Sequence, residues 1–308
     1  MEMDELQRRA RRDEPLARHT SARIGGPADL LIEVRTTDDL VAVVKHADRL
    51  GIPCTIIGGG ANVLVSDRGV RGLVVLNRAR DVRFGGREGG ATVEADAGVA
   101  LISLARDCIE RGYGGLEWAI SVPGTVGGAV VGNAGAHGAD VSTNLRGVNV
   151  LQRGGALEWW PAERLQFAYR CSALKAFAPV DRPVVVAAQF DLTLETRAEL
   201  EMRAFEFIAR RKASQPPGAS LGSMFKNPPG DFAGRLIEAC GLKGRRAGGA
   251  MISEKHANFF LNVAGEASAR DVWTLIQLAR SEVHAHFGVL LELEVELLGD
   301  WETDGEKE

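Results

Sequence analysis

Three adjacent glycines, Gly58, Gly59 and Gly60, stand between the β-branched stretches Thr55-Ile56-Ile57 and Val63-Leu64-Val65, with Asn62 just after them. Residues without Cβ allow positive φ and bring main-chain N–H groups close to a ligand, so such a loop can cradle phosphate without cationic side chains. The chemistry this spacing suits is pyrophosphate binding between two strands. Two commoner nucleotide loops do not match. A dinucleotide fingerprint needs its last glycine at the start of a helix, where this chain has Val63 inside an extended apolar run. A P-loop needs Gly-Lys-Ser/Thr, which does not occur here. A glycine-rich hairpin without a ligand shares the same composition, so the rest of the chain has to decide.

A second glycine-dense segment runs from Gly114 through Trp118, Ile120, Ser121, Pro123-Gly124-Thr125 and Gly127-Gly128 to Asn133-Ala134-Gly135 and His137-Gly138. Glycines spread among apolar residues rather than serines do not make a flexible linker. They suggest backbone packed against a flat or extended ligand. Three other stretches could carry chemistry, and each has an ordinary reading. Phe167 to Ser172, with Tyr169-Arg170, could be a loop with a surface arginine. Leu221 to Gly230, with Ser223 and Lys226-Asn227, could be a turn-rich connection. Glu292, Glu294 and Glu296, alternating with apolar residues, could be the solvent side of a last strand. Ser172-Ala173-Leu174-Lys175 has the S-x-x-K spacing of penicillin-binding enzymes, but no K-T-G follows it. His284 and His286, two apart on a helix, face different ways, and the four cysteines lie far apart, so no metal site is expected.

The elements that must position these residues follow from pattern and composition. The chain has 308 residues, enough for about two domains, and its 45% hydrophobic and 25% charged content is ordinary for a globular protein. A net charge of −4 argues against a general nucleic-acid or acidic-membrane binder. The N-terminus lacks the apolar core of a signal peptide, no apolar run reaches about 18 residues, and widely spaced cysteines suit a reducing compartment; a cytoplasmic protein is expected. Helical spacing over Asp38 to Leu50, from Leu101 to Gly112, from Leu200 to Ile208 and over Ser268 to Phe287 predicts helices, the last opened by a Ser268/Asp271 capping box. Strands are predicted at Asp29 to Val34, Leu73 to Leu76, Thr92 to Ala97, Pro183 to Leu194 and Leu291 to Leu297, with a hairpin over Val148 to Trp160 turning at Gly154-Gly155. Residues 1–18 read as a charged leader and residues 299–308 as an acidic, disordered tail.

Taken in order, the two glycine segments, Tyr169-Arg170, Gly222 to Pro228, Lys255 to Phe259 and Phe287-Gly288-Val289 through Glu294-Val295 resemble the UDP-N-acetylenolpyruvoylglucosamine reductases, flavoenzymes of bacterial cell-wall precursor synthesis. The resemblance implies an α+β fold: an FAD-binding domain at 19–195 of the vanillyl-alcohol oxidase/p-cresol methylhydroxylase type, in subdomains of about 19–77 and 78–195. A smaller α+β UDP-sugar-binding domain would follow at 196–298. It implies that Ile57, Gly58, Gly59, Gly60, Ala61, Asn62, Val63 and Leu64 hold the FAD pyrophosphate, and that Ile120, Pro123, Gly124, Thr125, Gly127, Gly128, Asn133, Ala134 and Gly135 line the flavin. Arg170, Ser223 and Glu294 match the catalytic arginine, serine and glutamate. Tyr169, Lys226 and Asn227 fall where the diphosphate or uracil is expected. NADPH is the implied co-substrate, UDP-N-acetylglucosamine enolpyruvate the substrate, and a monomer with no nucleic-acid or membrane partner the implied state.

Glu294 could assist only if protonated, so a pKa raised by burial is expected. His137 stands where the family often has tyrosine, and the 53 positions between Arg170 and Ser223 resemble the subclass without an extra tyrosine-bearing substrate loop. An FAD-dependent small-molecule oxidase on the same scaffold and a non-catalytic UDP-sugar-binding protein are the alternatives. The first would leave Ser223 and Glu294 without a task; the second would bind nucleotide without oxidising NADPH.

Overall fold

The computed structural model describes residues 3–301, and most of the acidic tail lies outside them. The chain forms two compact units interleaved in sequence: 1–11, 31–59 and 72–211 make the first, and 12–30, 60–71 and 212–308 the second.

The first unit opens with the helix Met3–Arg9, whose Leu6 is fully buried, so the charged leader is anchored. The helix Thr37–Arg49 starts where Thr36 accepts from Asp39 N–H, and it turns Leu40, Val43, Val44 and Ala47 inward. Burying that stripe is what makes a 13-residue segment helical. The strand Cys54–Ile57 then runs parallel to residues 73–76 of Val70–Asn77 and delivers the chain to Gly58.

A larger antiparallel sheet follows, in the order Leu157–Pro161, Leu145–Leu151, Val184–Leu194, Gly90–Asp96 and Val82–Arg87. Its central strand, Val184–Leu194, is apolar for most of its length because it has a neighbour on each edge and a core against it. The predicted hairpin closes with Val148 opposite Trp160. Arg153, near its turn, donates through Nη2 to Cys54 O at 2.7 Å, tying the hairpin to the strand Cys54–Ile57. The core holds Val93, Leu104, Trp118, Val148, Phe190 and Leu200. The helix Leu101–Glu110 covers it as the spacing predicts, whereas a short helix, Val126–Gly132, lies unpredicted within the second glycine segment.

In the second unit, the sheet Ala219–Ser223, Phe259–Asn262, Ala250–Ile252, Arg246–Ala247 packs with the helices Ala233–Ala239 and Ala269–Phe287. The capping box forms: Ser268 Oγ accepts from Asp271 N–H and Asp271 Oδ2 from Ser268 N–H, both at 3.0 Å. Asp67 adds a carboxylate to the same helix start, accepting from Ala269 and Arg270 N–H at 2.8 and 2.9 Å, where the helix dipole favours negative charge. The closing strand is shorter than its alternation predicts. Only Glu296–Leu298 is regular, parallel to Val63–Val65. Residues 292–294 instead bond to the segment after Ser223, so their alternation reflects irregular pairing rather than a sheet edge.

Candidate active site

The glycine loop leaves Ile57 and enters Val63–Val65 as a bare connection. Arg78 Nη1 donates to Gly58 O at 2.6 Å and fixes its first turn. A Cβ on Gly58 would come within 2.2 Å of Thr125 Oγ1, so Gly58 has no room for a side chain against Thr125, and one on Gly59 would lie 3.0 Å from Gly124 Cα, a tight contact with that backbone. Gly60 has φ +61° and its O accepts from Ser21 N–H at 2.9 Å. The side chains of Ile57, Leu64 and Ile120 are buried, which leaves these positions their main chain to offer a ligand.

Opposite Gly58 and Gly59, residues 124–127 are pinned from behind. Leu101 N–H donates to Gly124 O, Val126 N–H to Val99 O and Gly127 N–H to Ala97 O, at 3.1, 2.9 and 2.9 Å. Those bonds, rather than helix propensity, hold the Val-Gly-Gly start of Val126–Gly132. Gly59, Pro123 and Gly128 stay exposed, and Gly128 has room for only ordinary contact with Thr125. Nearby in sequence, Trp118 Nε1 and Ser121 Oγ are buried with no hydrogen-bond partner among the described residues. Buried polar groups almost always find a partner, so a donor and a hydroxyl left over just before Pro123-Gly124-Thr125 in the sequence fit a group rich in acceptors, as FAD is. These two atoms have no counterpart in the sequence expectation, though Trp118 and Ser121 lie inside the glycine segment it singled out.

Asn133 takes φ +43° at the end of Val126–Gly132, and its side chain is fully committed. Its Nδ2 donates to Asp140 Oδ2 and Ala168 O at 3.1 and 3.0 Å, and its Oδ1 accepts from Ser142 N–H at 3.1 Å. Asn133 therefore anchors the turn that carries Tyr169 and Arg170. That turn is closed by Ala168 and Cys171 exchanging main-chain bonds at 3.0 and 3.1 Å. Arg170 sits at φ +55°, a region that costs an L side chain about 1–3 kcal/mol and recurs at functional sites. Its Nη2 donates to Gly135 O at 2.8 Å, and Lys175 Nζ donates to Arg170 O at 3.2 Å. Tyr169 is 53% exposed with the Arg170 guanidinium 5.3 Å from its ring centroid. Ser172, the S-x-x-K serine, is buried and donates to Val131 O at 2.7 Å, which is a structural use. His137, φ +56°, stacks on Phe207 with centroids 4.3 Å apart, and burial aided by Arg210 and Arg211 lowers its pKa.

In the second unit the structure brings Ser223 and Glu294 onto adjoining segments. Glu294 N–H donates to Met224 O at 2.9 Å, Lys226 N–H to Glu292 O at 2.9 Å, and Phe225 bridges Leu293. Both Ser223 and Glu294 are half-buried. Asn62 Nδ2 donates to Glu294 O at 3.0 Å while Asn62 O accepts from Glu296 N–H at 3.0 Å, so Asn62, two residues past the glycines, is bolted to the segment bearing Glu294. Lys226 pairs with Glu292, and Asn227 Oδ1 accepts from Ala233 N–H at 3.1 Å.

The FAD binding domain family model matches residues 28–160, and that of the UDP-N-acetylenolpyruvoylglucosamine reductase C-terminal domain matches residues 214–298. UDP-N-acetylenolpyruvoylglucosamine reductase 2 of Symbiobacterium thermophilum is 46% identical over 94% of this chain and 92% of its own length. The chain belongs to the UDP-N-acetylenolpyruvoylglucosamine reductase family. The Chloroflexus aggregans reductase is 43% identical over 94% of this chain and 97% of its own. Among solved structures, the reductase from Thermus caldophilus superposes with a TM-score of 0.78 at 34% identity, over 94% of this chain and 99% of that one. The chain is thus an FAD-dependent oxidoreductase, with the α+β architecture of this family and an FAD-binding domain matched over residues 28–160.

Proposed function

We propose that the chain reduces UDP-N-acetylglucosamine enolpyruvate to UDP-N-acetylmuramate, a step of peptidoglycan precursor synthesis, with NADPH as the source of electrons. FAD, when bound and reduced, supplies the hydride that goes to the enolpyruvyl methylene carbon. Main-chain groups of Gly58 to Asn62 would hold its pyrophosphate, and Gly124 to Gly128 with Trp118 and Ser121 would line the ring.

The chain's own residues manage charge and the proton. As the methylene carbon gains hydride, the adjacent carbon gains carbanion character next to the carboxylate. Arg170 meets that charge: its planar fork binds a carboxylate bidentately and stays charged. Glu294 assists in its protonated form, since an ionised carboxylate would repel the developing charge. Ser223 gives its hydroxyl proton to the carbanionic carbon and regains one from solvent; a hydroxyl is a weak acid, but a carbanion is a strong enough base. Tyr169, Lys226 and Asn227 engage the nucleotide end of the substrate. The observation that carries this reading is the pairing of Glu294 N–H with Met224 O, which holds acid and proton donor on adjoining backbone. The domains at 19–195 and 196–298 are the cofactor and sugar-nucleotide parts, and the protein works as a cytoplasmic monomer without nucleic-acid or membrane partners.

Ser223→Ala tests the reading. NADPH should bleach the flavin as in the wild type, while reoxidation by the enolpyruvyl sugar should slow by roughly 10²–10⁴-fold. Unchanged reoxidation would remove Ser223 from the chemistry.

A further inference from the structure

Ser223 ends the strand Ala219–Ser223, and regular pairing fails just before it. Ala219 and Ser220 face Asn262 and Leu261, but the register shifts before Ser223 reaches Phe259. The extra residue falls at Leu221-Gly222, with Gly222 at φ +79°. Such a bulge re-aims the side chain that follows it. Past Ser223 the ladder is continued by a side chain. Asn258 Oδ1 accepts from Phe225 N–H at 2.9 Å, Asn258 Nδ2 donates to Phe225 O at 2.8 Å, and Asn258 O accepts from Met224 N–H at 2.7 Å. On its other side the same dipeptide holds Glu294 N–H through Met224 O.

Asn258 is 2% exposed and Phe225 fully buried, so nothing from solvent can replace these bonds. A primary amide presents an acceptor and a donor together in the manner of a peptide group, and does so at any pH. Asn258 is itself oriented: its N–H donates to His256 Nδ1 at 3.2 Å, and Ser253 Oγ accepts from Lys255 and His256 N–H at 3.1 and 3.3 Å. A side chain that needed only to fill the core would carry no such network.

We infer that Asn258 is a positioning residue for the reaction, standing in for the missing strand so that Ser223 keeps its aim relative to Glu294. The inference rests on the assignment of Ser223 as proton donor. Its effect belongs to the proton-delivering half of the cycle and not to reduction of the enzyme by NADPH.

The test follows the two half-reactions separately by anaerobic stopped-flow absorbance on FAD-loaded enzyme, alongside thermal melting. In Asn258→Ala, reoxidation at saturating enolpyruvyl sugar should fall roughly tenfold to a hundredfold. Reduction by NADPH should stay within about twofold. The solvent deuterium effect on reoxidation should grow as proton delivery becomes slower. Equal losses in both half-reactions, or a lowered melting point with both rates kept, would overturn the inference by showing a merely structural role. If the alanine protein does not fold, Asn258→Asp decides. A protonated aspartic acid can both donate to Phe225 O and accept from Phe225 N–H, whereas the carboxylate cannot donate. Its reoxidation rate relative to wild type should therefore fall as pH rises, and a flat ratio would overturn the inference. Ser223→Ala run beside these separates the two claims. If it slows reoxidation while the Asn258 variants do not, positioning fails alone; if it does not, the proton-donor assignment fails and this inference with it.

Discussion

Arg170 combines a guanidinium, a left-handed backbone and a bond to Gly135 O, and each limits what can replace it. Lysine keeps the charge but not the fork, so Arg170→Lys should lose about 1.5–3 kcal/mol of transition-state binding, roughly tenfold to a hundredfold in kcat/KM. Steady-state kinetics would show it, and a loss under about twofold would mean that bidentate binding is not used. His256 gives a pH prediction. Its Nδ1 accepts from Asn258 N–H, which only neutral imidazole can do, and burial holds its pKa below the ordinary 6.5. The unfolded chain takes up the proton more readily, so this contribution to stability is complete above pH 6.5 and is lost as pH falls through the lowered folded value. Melting curves between about pH 7.5 and 5 should drop more steeply for wild type than for His256→Asn, which keeps an acceptor that does not titrate. Parallel curves would remove His256 as the cause. Desolvation pushes the Cys54 thiol up to about 11 and Cys108 up to about 12, so a thiol reagent at neutral pH should spare both until the protein unfolds.

At the scale of elements, the cradle predicts a coupling between two loops. Gly58→Ala must displace Thr125 and should weaken FAD binding by about 1–3 kcal/mol. Thr125→Ala should recover part of that loss in the double variant, read as flavin fluorescence on titration. Gly86, where an added Cβ meets nothing within 4 Å, is the control, and Gly86→Ala should bind FAD as the wild type does. Full additivity of Gly58→Ala and Thr125→Ala would deny the contact. The long amphipathic helices and the Ser268 capping box were readable from sequence because their signals are local: apolar spacing, and two side chains three residues apart. The helix Val126–Gly132 was not, since valine and glycine are poor helix formers and the bonds to Ala97 and Val99 that hold it come from far along the chain. The same limit explains the closing strand. Alternating residues 291–297 look like a sheet edge, yet Glu292 and Glu294 pair irregularly with Lys226 and Met224. The family resemblance pointed to Ser223 and Arg170, but the positive φ of Arg170 had no local signature.

On the scale of the whole molecule, sequence composition places a boundary near residue 195, while the compact units exchange the segments 12–30 and 60–71. Within the second unit, that exchange is held by the parallel pairing of Val63–Val65 with Glu296–Leu298, by Asp67 on the 269–287 helix and by Asn62 on Glu294. No local pattern reports bonds spanning more than 200 positions. A ligand that binds only the folded chain stabilises it, so stability should depend on the cofactor. Removing FAD should lower the melting temperature, since a ligand at a hundred times its Kd stabilises the folded state by about 2.7 kcal/mol. An apoprotein that melts with the holoenzyme would contradict a structural share for the cofactor. The most direct test of the central claim is the anaerobic absorption spectrum of the purified protein, recorded after NADPH and again after UDP-N-acetylglucosamine enolpyruvate. A flavin that bleaches with the first and regains its colour with the second, yielding UDP-N-acetylmuramate, is the predicted result. A flavin that bleaches but is recoloured only by oxygen would contradict it.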